Sequence, residues 1–223
     1  MPINVKMTSD FICPWCLIGE VRLLQVIEAL PDSIDVEVEW LPFELNPDMQ
    51  KEGMDRKVYR SLKFGSWERS QALDAHTVAA SKADCVTFDY DSIARTPNTF
   101  DAHRLSWLAA REGRQRAVVE GILNGYFSQG RDIGDPEVLT EIAGDAGLDR
   151  ETVCQFLKHE DGIEAVRALE ASSYKDGVQG VPHFDIEGTI VTGAQSPESL
   201  RRALFDAHER KADAAPSQQA AAG

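Results

Sequence analysis

The stretch TSDFICPWCLIGE, residues 8–20, places Cys13 and Cys16 two residues apart, just after an alternating segment. In that segment, INVKM at 3–7, Ile3, Val5 and Met7 share one face, as in a strand with a single buried side. Pro14 suits the first turn of a helix, where its missing N–H is not needed. Leu17, Val21, Leu24 and Ile27 then recur at helical spacing, and Pro31 closes the element. IDVEVEW at 34–40 alternates strictly, with Ile34, Val36, Val38 and Trp40 opposite Asp35, Glu37 and Glu39. The opening is β-α-β, and the two thiols stand where its first strand turns into its helix.

That position has chemical meaning. A thiolate, not a thiol, is the nucleophile, and a helix start offers unpaired N–H groups and the positive end of the dipole. Cys13 falls at the N-cap or one residue before it, so its pKa is expected to be depressed. Cys16 falls one turn inside, within reach of Cys13. Cys13 would then attack, and Cys16 would resolve the mixed disulfide. Pro14 and Trp15 add no charge between them. A structural zinc site normally takes four protein ligands, whereas Cys85, Cys154 and the five histidines are all isolated in sequence. A metal is therefore not expected, and two chance core cysteines would not account for Pro14 at the strand-to-helix junction.

From about residue 54 to 176 the pattern turns helical, broken by Pro, Gly and Asp. DPEVLTEIAGDAGL is typical, with Pro136 near its start, Val138, Leu139 and Ile142 on one side and Gly147 past its end. Asp149 reads as the N-cap of the next helix. Strand character returns in VPHFDIEGTIV at 181–191, with Glu187–Gly188 as a tight turn. SPESLRRALFDAHE closes the order, with Ser196 as N-cap and Pro197 at the first helical position. Residues 211–223 are small and polar and are expected to be disordered. Pro182 stands just before a strand, where proline needs a positional reason. Composition alone favours a trans bond there, since about 5–6% of X–Pro bonds are cis.

The chain has 223 residues, 43% of them hydrophobic, and a formal charge of −14. Such a charge disfavours nonspecific nucleic-acid binding and adhesion to anionic membranes. The start, MPINVKMTSD, has neither a basic region nor an apolar signal core, and predicts a cytoplasmic protein. In a reducing compartment a C-x-x-C pair is redox-active or metal-binding rather than a structural staple.

CPWC followed by helices and then GVPHF resembles the DsbA family of the thioredoxin superfamily, and in particular its FrnE-like branch. PFELNPDM, TPNTFDAHRLSW, YFSQGRDIGD and TGAQSPESL extend the resemblance over nearly all of residues 3–208. It implies an α/β, thioredoxin-like fold from residues 1–43 and 177–210, with an α-helical insertion at 44–176. It also implies that Cys13 is the nucleophile, Cys16 the resolving cysteine and Pro182 a cis-proline facing them. Pro14, Trp15, Val181 and Pro182 would border the substrate, Val181 through its backbone. His183 stands where relatives carry a bulky apolar or aromatic residue, and reads as a partly exposed strand histidine. Cys85 and Cys154 read as small residues in or near the helical core.

The implied activity is thiol-disulfide exchange with thiol- or disulfide-containing proteins or small thiols. No cofactor is implied beyond glutathione as a possible co-substrate, and the helical block offers a face for a homodimer. The rival is a glutathione-linked transferase or isomerase of the 2-hydroxychromene-2-carboxylate isomerase type. Those enzymes resemble kappa-class glutathione transferases and carry serine at the position of Cys13. PNTFDAHR could line a small-molecule pocket in that reading, although helix capping by Asn98 or Thr99 explains it more simply. A metal-binding or scaffolding module is a more distant alternative.

Overall fold

The alternation of the first residues becomes the strand Ile3–Ser9 (β1), with Ile3, Val5 and Met7 buried and Asn4 and Lys6 outside. The computed structural model describes residues 2–214. Helix Pro14–Glu28 (α1) begins at its proline, with Cys13 as an extended N-cap at φ −92° and ψ 110°. The chain returns as strand Val36–Pro42 (β2), parallel to β1 and in register from Ile3 opposite Val36 to Ser9 opposite Pro42.

Next come a two-residue strand, Met54–Asp55 (β3), and the helices Arg56–Phe64 (α2) and Trp67–Ala80 (α3). Asp55 and Ser66 cap these helices by accepting the Val58 and Arg69 N–H groups. A second two-residue strand, Arg95–Thr96 (β4), pairs antiparallel with β3. Five helices follow: Phe100–Arg111 (α4), Gln115–Gln129 (α5), Pro136–Asp145 (α6), Arg150–Lys158 (α7) and Ile163–Lys175 (α8). Asp135 and Asp149 cap α6 and α7, the latter as its sequence position predicts. The short β3–β4 pair interrupts a segment whose pattern predicts helix alone. Two residues per strand are too few to leave a period in sequence.

Strands His183–Ile186 (β5) and Thr189–Thr192 (β6) form a hairpin, and helix Pro197–Ala214 (α9) closes the fold. At the turn Glu187 and Gly188 both have positive φ, 49° and 85°, and Asp185 accepts the Gly188 N–H at 2.7 Å. Positive φ at both central residues gives the strands the twist a two-residue hairpin requires. The sheet order is β2-β1-β5-β6, with β5 antiparallel to β1. Residues 211–214 of the expected disordered tail belong to α9, and the rest of that tail lies outside the described residues.

Helix α9 packs along α1 and against β1, β5 and β6, while α4, α5 and α8 meet β2. Met7 and Phe184 of the sheet lie in the same apolar cluster as Leu105, Ile122 and Leu139 of the helices. Sheet and helices thus share a continuous core. Leu23 of α1 is wholly buried, whereas Leu62 of α2 is 75% exposed. Leu23→Ala should therefore lower unfolding stability by about 2–5 kcal/mol, through lost burial and a residual cavity. Leu62→Ala should change it by no more than about 0.5 kcal/mol. Denaturant midpoints compare the two, and equal losses would contradict this packing.

Glu20 of α1 is 1% exposed. Burial, reinforced by the Glu120 carboxylate, pushes its pKa up to about 8, and Trp40 and Arg116 only partly oppose this. A carboxyl raised in the fold favours folding fully below its unfolded value, about 4.5, and loses that contribution as pH climbs to about 8. Glu20→Gln removes the titration, so the variant's stability should decline less over this interval and exceed the wild type's at its alkaline end. Urea midpoints measured across pH check this; parallel curves for the two proteins would refute it.

Candidate functional site

Three separate segments converge at the start of α1. Cys13 is 5% exposed, and Cys16, whose N–H donates to the Cys13 carbonyl at 3.0 Å, is wholly buried. Cys13 is held by its own N–H, which donates to the Asp10 carbonyl at 3.1 Å. Its sulfur takes no helix-cap hydrogen bond. Instead the Cys13 Sγ–H donates to the Val181 carbonyl at 3.7 Å, a weak bond of sulfur type. The Val181–Pro182 bond is cis. Pro182 is buried against α1, where a side chain on Gly19 would come within 3.0 Å of both the Pro182 ring and the Phe184 ring. Bare backbone at Gly19 is what lets the loop settle onto the helix.

Burial lifts the Cys16 thiol well above its ordinary range, and the neighbouring Cys13 sulfur adds to the rise. The Asp10 main-chain N–H opposes it by bonding the Cys16 sulfur, while the Asp10 carboxylate reinforces it by charge. The two thiols therefore differ by environment: one borders the surface, and the other is sealed in the core.

A cleft of about 310 Å³ opens beside Cys13. Cys13, Pro14 and Trp15 form one wall, and Tyr59, Arg60, Lys63 and Phe64 of α2 form another. Arg60 is neutralised by Asp74 at 2.6 Å, and Asp74 also binds Arg56 at 2.7 Å. Lys63 instead donates to Tyr59 Oη at 2.6 Å and to Asn46 Oδ1 at 2.9 Å. The Trp15 ring meets the His76 ring of α3 edge to face, 5.4 Å between centroids. Pro14 and Trp15 thus line the cleft, while the Val181 carbonyl reaches Cys13 from another side and Pro182 rests on Gly19 of α1. The α2 contribution has no local signal in sequence, because its cleft-facing residues acquire their role only through packing. Asp10 did carry a signal: an acid three residues before Cys13 in an otherwise apolar turn.

His183 is half-buried in β5, paired with Thr8 and Thr192. His103 is packed, 4% exposed, with its ring 4.8 Å from that of Phe11. Asn98 accepts the Phe100 N–H and donates to the Met49 carbonyl, so it caps α4 as the simpler reading holds; Thr99 occupies the N-cap position without a side-chain bond. Cys154 is half-buried on α7. Cys85, expected in or near the helical core, is exposed in the loop after α3 with φ 57°. A loop residue with unusual backbone leaves no periodic trace, so its place could not be read from spacing. Among the described residues no three His, Cys, Asp or Glu side chains gather as metal ligands would.

Comparison with known proteins agrees with this geometry. A probable DsbA oxidoreductase from Streptomyces coelicolor superposes with a TM-score of 0.84 at 33% identity, covering 93% of this chain and 90% of that one. The uncharacterized Bacillus subtilis protein YwbO is 26% identical over 212 residues, 95% of this chain and 100% of its own length. A 2-hydroxychromene-2-carboxylate isomerase shares the fold with a TM-score of 0.72 at 14% identity, over 96% of this chain and 100% of that one. The family model for the DSBA-like thioredoxin domain matches residues 4–205. With that match spanning the sheet, the helices between its halves and the paired cysteines, the chain belongs to the DSBA-like thioredoxin domain family and is an enzyme of the disulfide oxidoreductase or isomerase type.

Proposed function

We propose that the protein exchanges disulfides through Cys13 and Cys16, with Cys13 as nucleophile and Cys16 as resolving thiol. The observation that carries this reading is their unequal setting: Cys13 lines an open cleft, and Cys16 lies wholly buried in contact with it. A substrate sulfur can approach Cys13 alone. Once a mixed disulfide forms there, only Cys16 is placed to displace the substrate, which confines the second step to the protein.

Trp15 and Pro14 contribute apolar wall, and the Val181 backbone offers a main-chain acceptor beside the reacting sulfur. An extended substrate can use such an acceptor as strand pairing does. The residues 1–43 and 177–210 supply the dithiol and its loop, and the helices of 44–176 supply the opposite wall of the cleft. Substrates of this size of opening are protein segments or small thiols, with glutathione a candidate co-substrate that returns the pair to its starting state. We assign the reaction to a reducing compartment, the cytoplasm. Support comes from Cys85, an exposed thiol without a partner, which an oxidising compartment would leave open to cross-linking. The isomerase reading shares the fold but leaves Cys16 without a task.

Purified protein incubated with a disulfide substrate tests the assignment. Cys13→Ser should lose turnover by at least about a hundredfold, as removal of a covalent nucleophile does. Cys16→Ser should instead accumulate a covalent adduct on Cys13, visible by mass spectrometry and released by reductant. Full turnover in Cys13→Ser, or an adduct on Cys85 in its place, would defeat the assignment.

A further inference from the structure

A second cavity, of about 340 Å³, lies between α1 and α5 and shares no residue with the Cys13 cleft. Its apolar lining is Leu17 and Leu24, both buried, with Val21 and Val86 half-buried. The fold fixes its edges. Arg22 pairs with Asp84 at 2.8 Å and Gln25 donates to the Asp84 carbonyl at 3.1 Å, which sets the exposed Cys85 at one rim. Ser128 of α5 donates to the Thr87 carbonyl at 2.7 Å and holds the same loop from the other side. Small-molecule sites are largely pre-formed in this way, and volumes of about 300–1,000 Å³ are usual for them.

Glu20 stands in this lining, 1% exposed, and its Oε1 makes no hydrogen bond. The Trp40 indole N–H approaches from β2 and favours the ionised carboxyl, yet it too lacks a well-formed hydrogen bond, so neither group satisfies the other. A buried polar atom left so is costly and calls for an explanation. The surrounding charges favour a cation. Arg116 of α5 binds both Glu28 and Glu120, each at 2.7 Å, so two carboxylates share one guanidinium before Glu20 is counted. Among the described residues no three His, Cys, Asp or Glu side chains gather as metal ligands would, which leaves an organic cation.

We propose that this groove is a second binding site, which takes a small primary amine on an apolar body, its ammonium donating to Glu20 and its body lying on Leu17, Val21 and Leu24. An ammonium brings N–H donors and a positive charge, so it supplies the bond that Glu20 Oε1 lacks and balances the surplus carboxylate. The apolar body displaces water from the aliphatic side chains. Glu20 ionises to receive the ammonium. Burial, reinforced by Glu120, holds the carboxyl of the empty groove at about 8, so binding at lower pH releases its proton to solvent. Affinity therefore climbs as pH rises to about 8, while the ligand's own amine stays charged up to about pH 10. The other charged or titratable groups facing Glu20 are Glu28 on α1, Arg116 and Glu120 on α5, and Cys85 on the loop.

Calorimetric titration of the full chain with phenethylamine tests this, with phenethyl alcohol as the uncharged counterpart. At about pH 8 the amine should bind about tenfold or more tightly than the alcohol, and about tenfold or more tightly than it does itself at about pH 6. Glu20→Gln should abolish this pH dependence and weaken binding of the amine at about pH 8 by about tenfold or more. Cys85→Ser should leave both in place. Asn124→Trp, a change at an exposed position of the α5 wall, should fill the groove and abolish binding with Glu20 intact. In the unsubstituted protein phenethylamine should slow alkylation of Cys85 and not that of Cys154, a measurement that does not depend on any variant folding. Equal binding of amine and alcohol overturns the proposal, as does unprotected Cys85 at millimolar amine. A pH profile that survives Glu20→Gln, or one that Cys85→Ser removes, overturns it as well.

Discussion

The close seating of Pro182 on Gly19 is the contact on which the site depends. Any side chain at residue 19 would press on the Pro182 and Phe184 rings at 3.0 Å. Because that space is left free, a loop some 160 residues further along the chain comes down on the first turns of α1 and sets the Val181 carbonyl against Cys13 Sγ. The same descent starts β5, which pairs with β1 from Thr8 opposite His183 to Val5 opposite Ile186. One absence of bulk thus accommodates both the start of β5 beside β1 and the approach of the Val181 carbonyl to Cys13. Interiors are packed densely enough that such a fit transmits position rather than absorbing it.

The helical segment is part of the site and of the core that supports it. It supplies the Tyr59, Arg60, Lys63 and Phe64 wall of the cleft from one side and the buried His103 from another. Between these lies Asp10, whose carboxylate accepts the Leu45 N–H and so ties the turn before Cys13 to the strand exit after β2. The two cysteines are therefore gripped from the sheet, from the loop at Val181 and from the helices. A rigid frame of this kind suits the proposed exchange, in which three sulfur atoms must come into line.

The fold was largely legible because its signals are local. Alternation in INVKM and IDVEVEW, proline at the start of α1, and aspartate caps at 135 and 149 each express a constraint satisfied within a few residues. The placement of Cys13 and Cys16 at the start of α1 was legible for the same reason, and the family resemblance carried the cis bond before Pro182. What escaped was set by packing at a distance. Asp10 and His103 are ninety-odd residues apart in sequence and meet only in space. The α2 residues at the cleft look like any amphipathic helix, β3 and β4 are too short to show a period, and Cys85 sits in a loop whose backbone its neighbours dictate. The helical end of α9 past residue 210 escaped because composition speaks of solubility and not of docking.

The central claim is that Cys13 and Cys16 form one reversible two-electron couple. Equilibrating the protein in glutathione buffers of graded potential, then trapping free thiols by alkylation and counting them by mass, measures this directly. The account predicts a single transition in which Cys13 and Cys16 lose their labels together, with one midpoint, while Cys85 and Cys154 stay labelled on the intact monomer. Independent titration of the two cysteines, or full labelling of both across the whole range, would contradict it.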